Sequence, residues 1–154
     1  MSNYNKIFGM VYLAIFLSFI CIFSANGQKE AHQWTPLVVN DNQKVWYDYN
    51  QIKHITLPKF EIWLLEVHRS PQKIEGVVSG VMRTKTLYRI NLETMSYGIV
   101  AVAYYNINNQ ELKRFNYEME TYEEKYKYSY PILEKSLVGM LIKEISKKET
   151  KQDQ

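Results

Sequence analysis

One apolar run near the N-terminus predicts where the rest of the chain works and whether its folded part keeps a cysteine. It covers residues 7–23, follows a single positive charge at Lys6, and gives way to small and polar residues at 24–27. A basic N-terminal segment, an apolar centre and small residues before a cleavage site are typical of a secretory signal peptide, which we predict over 1–27. Cys21, the only cysteine of the sequence, lies inside this run and would be lost with it.

Cleavage before Gln28 would leave a domain without disulfides or thiol chemistry, so a hydrophobic core must stabilise it alone. The remaining residues are enough for one domain with such a core. Two other fates are an uncleaved membrane anchor, because the run of 17 residues approaches a bilayer span, and lipid attachment at Cys21. The small residues within 24–27 favour cleavage, and the bulky Ile20 disfavours lipid attachment at Cys21. We therefore predict an exported protein in the periplasm, on the outer surface or outside the cell, without a stable membrane span.

The charge of the sequence gives little support for a polyanionic partner. The formal net charge is +3 and falls by one when Lys6 is removed. Basic and acidic residues are interspersed, and an exported chain does not meet nucleic acid in its ordinary compartment. We therefore predict no nucleic-acid partner.

Alternating polar and apolar residues, punctuated by turn residues, predict a mainly β fold. Pro36 favours an edge position for the first strand. The third strand is apolar on both faces, which favours an interior position in the sheet. Residues 70–80 are predicted to form a polar loop. Asparagine-rich links at 40–43 and 106–110 predict hairpins, because asparagine tolerates positive φ. The predicted strands are 34–39, 44–49, 59–69, 82–92, 97–105 and 111–117, with an ambiguous helical turn or loop at 50–56.

The C-terminal region predicts one helix that opens at Pro131, since proline is tolerated in a first turn. Apolar residues recur there at spacings of three and four and form a single stripe. Its members are Leu133, Leu137, Met140, Leu141 and Ile145. We predict an α+β fold, an antiparallel sheet of about six strands with this helix packed on one face. The single domain covers 28–148, and 149–154 is a polar tail.

The sequence offers few groups for catalysis. The predicted exported part lacks cysteine, and none of His32, His54 and His68 has the spacing of a metal ligand. No Gly-Xaa-Ser-Xaa-Gly elbow is present, and the paired carboxylates of 118–124 are typical of a solvated surface. We predict a protein that is not an enzyme and has no metal and no cofactor.

Two groups of residues are candidates for polar structure or binding. Asp48 stands among aromatic residues and needs a partner, for which Arg83, Lys85 and Arg89 on a neighbouring strand are candidates. We interpret Asp48 and Arg89 as structural polar residues. A tyrosine series is the candidate binding surface, because rigid amphipathic rings give contact area at low entropic cost. Its members are Tyr117, Tyr122, Tyr126, Tyr128 and Tyr130. The alternative is that these rings only cover a sheet edge.

Several short motifs occur in an order that resembles the bacterial surface-adhesin protein E-like domain family. They are Trp34-Thr-Pro-Leu-Val-Val-Asn-Asp, Val45-Trp-Tyr-Asp-Tyr, Lys85-Thr-Leu-Tyr-Arg-Ile-Asn-Leu, Tyr97-Gly-Ile-Val-Ala-Val-Ala-Tyr-Tyr and a helix at Pro131. The resemblance implies an exported antiparallel sheet closed by a helix, self-association, and for the founding member adhesion to host matrix proteins. Family members often carry a cysteine pair that is missing here, so stabilisation must differ. No adhesive residue matches by position, so only the fold is carried over.

We therefore expect an exported, non-enzymatic cell-envelope or surface domain that binds a macromolecular partner or its own copy, in an adhesin-like role. The alternative is a periplasmic small-molecule carrier or enzyme accessory protein. An enclosed apolar pocket would favour the carrier, and an exposed tyrosine-rich surface would favour the macromolecular partner.

Overall fold

The structure, a computed structural model, describes residues 32–117 and 123–152. The predicted signal peptide and Tyr122 lie outside the described residues. The helices are α1 (Tyr49–Ile52) and α2 (Leu137–Gln152), and a 3₁₀-helix covers Glu124–Lys127. The strands are β1 (Trp34–Val39), β2 (Lys44–Asp48), β3 (Lys59–Gln72), β4 (Val81–Asn91), β5 (Ser96–Tyr105), β6 (Glu111–Asn116) and β7 (Tyr130–Pro131).

The strands form one sheet in the order β1-β2-β3-β4-β5-β6, and β7 pairs with β5 outside this row. Every pairing is antiparallel. This confirms the predicted antiparallel sheet with a C-terminal helix. The predicted interior position of β3 is also confirmed, because β2 and β4 flank it. β3 continues to Gln72, so the predicted loop at 70–80 begins later than expected.

One face of the sheet forms the core beneath α2. Phe60, Ile62 and Leu64 project from β3 at alternate positions and are buried together with Val45, Tyr47 and Ile90. The period of two that predicted the strand places all three side chains on this face. Helix α2 contributes Val138, Leu141 and Ile145, which are at most 5 % exposed. In the part of the chain that the structure describes, no helix is long and apolar enough to cross a membrane.

The predicted start of the helix at Pro131 is wrong. Pro131 belongs to β7, where it is opposite Ser96 of β5. The helix begins six residues later, after Ser136, whose hydroxyl accepts a hydrogen bond from the Gly139 amide at 3.1 Å. Serine caps a helix in this way because its oxygen satisfies an amide of the first turn. Leu133, predicted to lie on the helix stripe, precedes the helix and is 64 % exposed. At its other end α2 extends to Gln152, into the predicted polar tail.

The opposite face of the sheet carries aromatic and basic side chains in contact with one another. The ammonium group of Lys85 lies 5.4 Å from the ring centre of Trp34 and 5.1 Å from that of Tyr105. The guanidinium of Arg114 lies 5.7 Å from the Trp63 ring centre. Such cation–π contacts stabilise by about 0.5–2 kcal/mol, more when water is excluded. We call these five residues the aromatic–cation layer.

Glu111 balances the charge at the end of this layer. Its carboxylate accepts hydrogen bonds from Arg114 Nη2 at 2.9 Å and from the Tyr105 hydroxyl at 2.9 Å. The hydrogen bond from Arg114 is the main reason why the pKa of Glu111 is lowered. Burial first, and Glu111 second, raise the pKa of Tyr105 to about 12. The phenol therefore stays neutral and donates to the carboxylate.

The position of Leu141 in the core leads to a stability prediction. Leu141 is 0 % exposed, so Leu141→Asp places a charge in the core and should destabilise the domain by several kcal/mol, about 3–5 or more. Leu133→Asp is the matched control, because Leu133 is exposed. Urea denaturation followed by circular dichroism measures both variants. Equal stability of the two variants would contradict the packing of α2 on the sheet.

Candidate binding groove

Several side chains of the predicted tyrosine series meet beside the outer edge of β5. They line an open cavity of about 540 Å³, which we call the tyrosine groove. Its walls carry Tyr104, Tyr117, Tyr126 and Tyr130, and its apolar part consists of Ile99, Val100 and Val102. The other lining residues are Arg89, Gly98, Asn116, Lys127 and Ser129.

The groove exists because two strands share the outer edge of β5. β6 pairs with residues 101–105, and β7 pairs with residues 96–97. Residues 98–100 lie between these two pairings. At one end the Tyr117 amide donates to the Val100 carbonyl at 2.8 Å, immediately after β6 ends. The chain therefore leaves β6 at one side of the groove and returns through β7 at the other.

Tyr130 is held in the groove by both backbone pairing and ring stacking. It lies opposite Tyr97 in the β5–β7 register, and the two ring centres are 5.4 Å apart with 28° between the planes. Tyr97 in turn contacts the edge of Tyr88 at 5.6 Å. One face of the Tyr130 ring is thus supported while the residue remains 50 % exposed.

Tyr117 has a comparable support on the other side of the groove. Its ring stacks on Phe115 with the centres 6.4 Å apart, and Phe115 meets the edge of Tyr104 at 6.1 Å. Tyr117 is 52 % exposed. Burial is the first cause, and Tyr117 the second, of the raised pKa of Tyr104, so this phenol remains neutral at physiological pH.

Tyr126 is placed by the 3₁₀-helix that follows the undescribed residues 118–122. Its amide donates to the Glu123 carbonyl at 2.9 Å, and its own carbonyl accepts from the Ser129 hydroxyl at 2.8 Å. The residue is 58 % exposed. These two bonds fix the backbone of the turn that carries the ring.

The close approach of Gly98 to the 3₁₀-helix determines where this turn sits. A Cβ atom at Gly98 would lie only 1.9 Å from the Lys127 carbonyl oxygen. Such a separation does not occur between real atoms, so any other residue at this position requires the backbone to move. Glycine therefore allows the turn that carries Tyr126 to pack directly on β5.

Of the five predicted binding residues, the structure brings Tyr117, Tyr126 and Tyr130 together. Tyr128 lies at a different cavity, beside Lys59 and Glu124, and Tyr122 is outside the described residues. Sequence reasoning missed Tyr104. A signal was available, because Tyr104 follows Val102 by two residues and the two share a face of β5.

The predicted polar residues have structural partners. Arg89 forms an ion pair with Glu61, its neighbour across β3 and β4, with Nη2 2.6 Å from the carboxylate. Asp48 is paired with His32 at 2.7 Å rather than with the predicted basic residues of β4. It also accepts from the Gln33 and Asn50 amides, and it caps α1. Hydrogen bonds from these two amides and the pairing with His32 satisfy the Asp48 carboxylate, so it needs no ion pair with a basic residue of β4.

The described lining of the groove consists of neutral groups and two basic residues, of which Arg89 is paired with Glu61. Arg89 and Lys127 line it, and none of its described lining residues is acidic. Among the residues that the structure describes, no group of three or more His, Cys, Asp or Glu side chains could hold a metal ion. The rings can stack on apolar groups, and the tyrosine, serine and asparagine side chains can both donate and accept hydrogen bonds.

In comparisons with known proteins, no family model, curated protein or solved structure matches this chain. The resemblance to the surface-adhesin protein E-like domains stays a prediction from the short motifs.

The contact at Gly98 leads to a prediction about the groove wall. Gly98→Ala should displace the 3₁₀-helix and destabilise the domain by roughly 1–3 kcal/mol, as overpacking does. The NMR signals of Tyr126 should shift because its turn moves. Gly76→Ala is the control, since Gly76 has φ 71° and its substitution strains the backbone of the link between β3 and β4 without a contact to the 3₁₀-helix. Unchanged Tyr126 signals in a folded Gly98→Ala variant would contradict the proposed contact.

The partly buried Tyr88 supports Tyr97, which stacks on Tyr130 of the groove, and predicts an alkaline transition. Burial, with a smaller contribution from Tyr97, raises the pKa of Tyr88 from 10.0 to about 12. The folded state prefers the neutral phenol, so this stability is complete below pH 10 and is lost as the pH rises towards 12. Its size is at most about 2–3 kcal/mol.

Urea denaturation at several alkaline pH values should therefore show a shallower loss of stability for Tyr88→Phe than for the parent chain. Identical slopes for the two proteins would show that Tyr88 does not titrate in this window.

Proposed function

We propose that this chain is an exported, non-enzymatic envelope or surface domain that binds a macromolecular partner through the tyrosine groove. One observation carries the proposal: Tyr117, Tyr126 and Tyr130 come from separate segments, each is at least half exposed, and all three line one groove. Export is supported by the signal-like segment 1–27, and an adhesin-like role by the motif resemblance.

The groove has the physical properties of an interface centre. Tyrosine is enriched among the residues that dominate binding energy, because its ring offers a large contact area and its hydroxyl a hydrogen bond. Tyr117 and Tyr130 each rest on another ring, Phe115 and Tyr97 respectively. A ring already held in place loses little entropy when a partner binds, so more of the contact energy appears as affinity.

The open shape favours a macromolecular ligand over a small one. Pockets for small molecules bury most of their ligand's surface. This groove lies at the surface along a strand edge, so a ligand that occupies it continues into solvent at its ends. Its volume of about 540 Å³ nevertheless lies in the range of small-molecule sites, which keeps the carrier alternative as an outcome to be tested.

The proposal predicts that capture of a partner depends on the groove. The parent chain and two variants, each purified in folded form, would be immobilised and exposed to solubilised native envelope. The triple variant Tyr117→Ser, Tyr126→Ser and Tyr130→Ser should lose the captured macromolecule, because it removes the exposed rings of the groove. Tyr128→Ser is the control, since Tyr128 lies at another cavity.

The bound material would be identified and quantified by mass spectrometry and by glycan analysis. Equal recovery with the triple variant and the parent would refute the groove as the binding site. Recovery of the chain itself as the groove-dependent partner would identify the partner as a second copy. Recovery of only a small metabolite would support the carrier alternative.

A further inference from the structure

We infer that one end of the sheet docks on the surface of a bilayer that contains anionic phospholipids. This end is formed by the turns 40–43, 73–80 and 106–110, and we call it the turn end. The inference goes beyond the proposed function, because the turn end contains none of the residues that line the tyrosine groove. It follows from the position of the turns, the apolar side chain that each one exposes and the charge around them.

The topology of the sheet brings the three turns to the same end. Strands β1 to β6 lie side by side in chain order, and every neighbouring pair is antiparallel. Alternate links between such strands return to the same end of the sheet. The links from β1 to β2, from β3 to β4 and from β5 to β6 therefore share the turn end.

Two basic side chains fasten the turns to neighbouring strands. The ammonium group of Lys113 on β6 donates to the Gly76 carbonyl at 3.0 Å. The guanidinium of Arg83 on β4 donates to the carbonyls of Asn106 and Ile107, each at 3.2 Å. Because carbonyl groups carry no net charge, these bonds fix the turns while both cations keep their positive charge at this end.

Each turn exposes an apolar side chain. Val39, directly before the first turn, is 56 % exposed, Val78 in the second turn is fully exposed, and Ile107 in the third is 63 % exposed. Burial of such side chains in an apolar environment is favourable. Single exposed apolar residues are nevertheless common on soluble proteins, so the charge around them decides what they indicate.

The charged side chains at the turn end are mainly basic. Within four residues of the three turns, Arg114 and Glu111 form an ion pair and offset each other. None of the other charged residues in this range forms an ion pair within the part of the chain that the structure describes. Five of them are basic and two are acidic, namely Lys44, Arg69, Lys73, Arg83, Lys113, Asp41 and Glu75.

The opposite end of the sheet exposes similar apolar side chains but has no excess of charge. Its links are 53–58, 92–95 and 132–136, and they expose Leu57, Met95 and Leu133. Within four residues of these links, each basic side chain is matched by an acidic one. Two ion pairs, Lys59–Glu124 and Arg89–Glu61, are present, and Lys53 and Lys135 are offset by Glu93 and Glu134. Charge therefore distinguishes the turn end from the opposite end.

An anionic bilayer matches this combination of groups. Exposed basic side chains are attracted to a negatively charged lipid surface within about a Debye length. Apolar side chains that enter the boundary between headgroups and acyl chains add to the affinity, as they do for interfacial proteins.

An acidic protein is a poorer match for the turn end. The core of a protein interface is a closely packed apolar patch. Here the apolar side chains lie on three separate turns along the row of strands. A bilayer accepts separate insertions, because lipids rearrange around each one.

The test is co-sedimentation of the full chain, purified after export, with vesicles of phosphatidylcholine and phosphatidylglycerol in equal parts. Vesicles of phosphatidylcholine alone are the comparison. The chain should bind the anionic vesicles and not the neutral ones. Added salt should weaken the binding, because the basic groups are exposed.

A matched pair of variants tests the insertion of the turns. Ile107→Asp should lower the partition coefficient at least about tenfold, because it removes an inserted apolar side chain and adds a repelled charge. Leu133→Asp should have little effect, since Leu133 is equally exposed, at 64 %, but lies at the opposite end. Val78→Ser should also weaken binding, although it leaves the charge unchanged.

A second pair tests the basic side chains. Arg69→Gln combined with Lys73→Gln should lower the partition coefficient roughly tenfold or more, because each basic residue near an anionic surface contributes to the attraction. Lys53→Gln combined with Lys135→Gln makes the same change of net charge at the opposite end and should have little effect. Circular dichroism confirms that each variant is folded.

Several results would overturn the inference. Equal binding to neutral and anionic vesicles would show that another part of the chain enters the lipid. Equal weakening by Ile107→Asp and Leu133→Asp would show that net charge alone governs binding. Binding that depends on Arg69 and Lys73 but not on Val78 or Ile107 would show that the turns do not insert, and an acidic protein would then be the better occupant.

The triple tyrosine variant separates this inference from the proposed function. It should bind anionic vesicles as the parent chain does, because its substitutions lie outside the turn end. Loss of vesicle binding in this variant would place the lipid contact at the groove and overturn the inference. If no vesicle is bound while envelope capture still depends on the groove, the inference is wrong and the proposed function stands.

Discussion

The burial of one apolar stripe of α2 against β3 and β4 is the constraint on which the rest of the structure depends. Val138, Leu141 and Ile145 of the helix complete the core of the described chain. β6, the last strand of the consecutive row, lies at the edge of the sheet. Between β6 and the helix the chain forms the 3₁₀-helix and β7, which pairs with β5, and residues of both elements line the groove. The tyrosine groove is thus a consequence of how the helix is connected to the sheet.

The second face of the sheet is stabilised without a second helix. The aromatic–cation layer places the long side chains of Lys85 and Arg114 over rings, and Ala103, between them in register, is fully buried. Their apolar stems exclude water while the charges stay at the surface. The sheet edges also resist pairing with other chains, because β1 contains Pro36 and β6 contains Lys113 and Arg114. The first feature stabilises a sheet that has no disulfide, and the second protects it from pairing with other chains.

Sequence reasoning located the strands well because alternation with period two records the two faces of a sheet directly. It misplaced the helix start because Pro131 fits an edge strand as well as a first turn, whereas the helix begins after the Ser136 cap. It named three groove tyrosines but did not predict that they lie together, because their proximity depends on the register of β7 and on the contact at Gly98. The His32–Asp48 pair was missed because it joins residues on either side of β1, and no local pattern encodes it.

The groove and the fold are coupled through the backbone rather than through side chains alone. Gly98 lets the 3₁₀-helix touch β5, β7 aligns Tyr130 with Tyr97, and the Tyr117 amide anchors the end of β6 on Val100. Three separate attachments therefore hold three exposed rings. A site built in this way tolerates changes of ring chemistry better than changes of backbone position, because each ring can be replaced without releasing its neighbours. Substitutions at the tyrosines are thus expected to change the surface of the groove without moving its walls, while Gly98 is constrained by the turn.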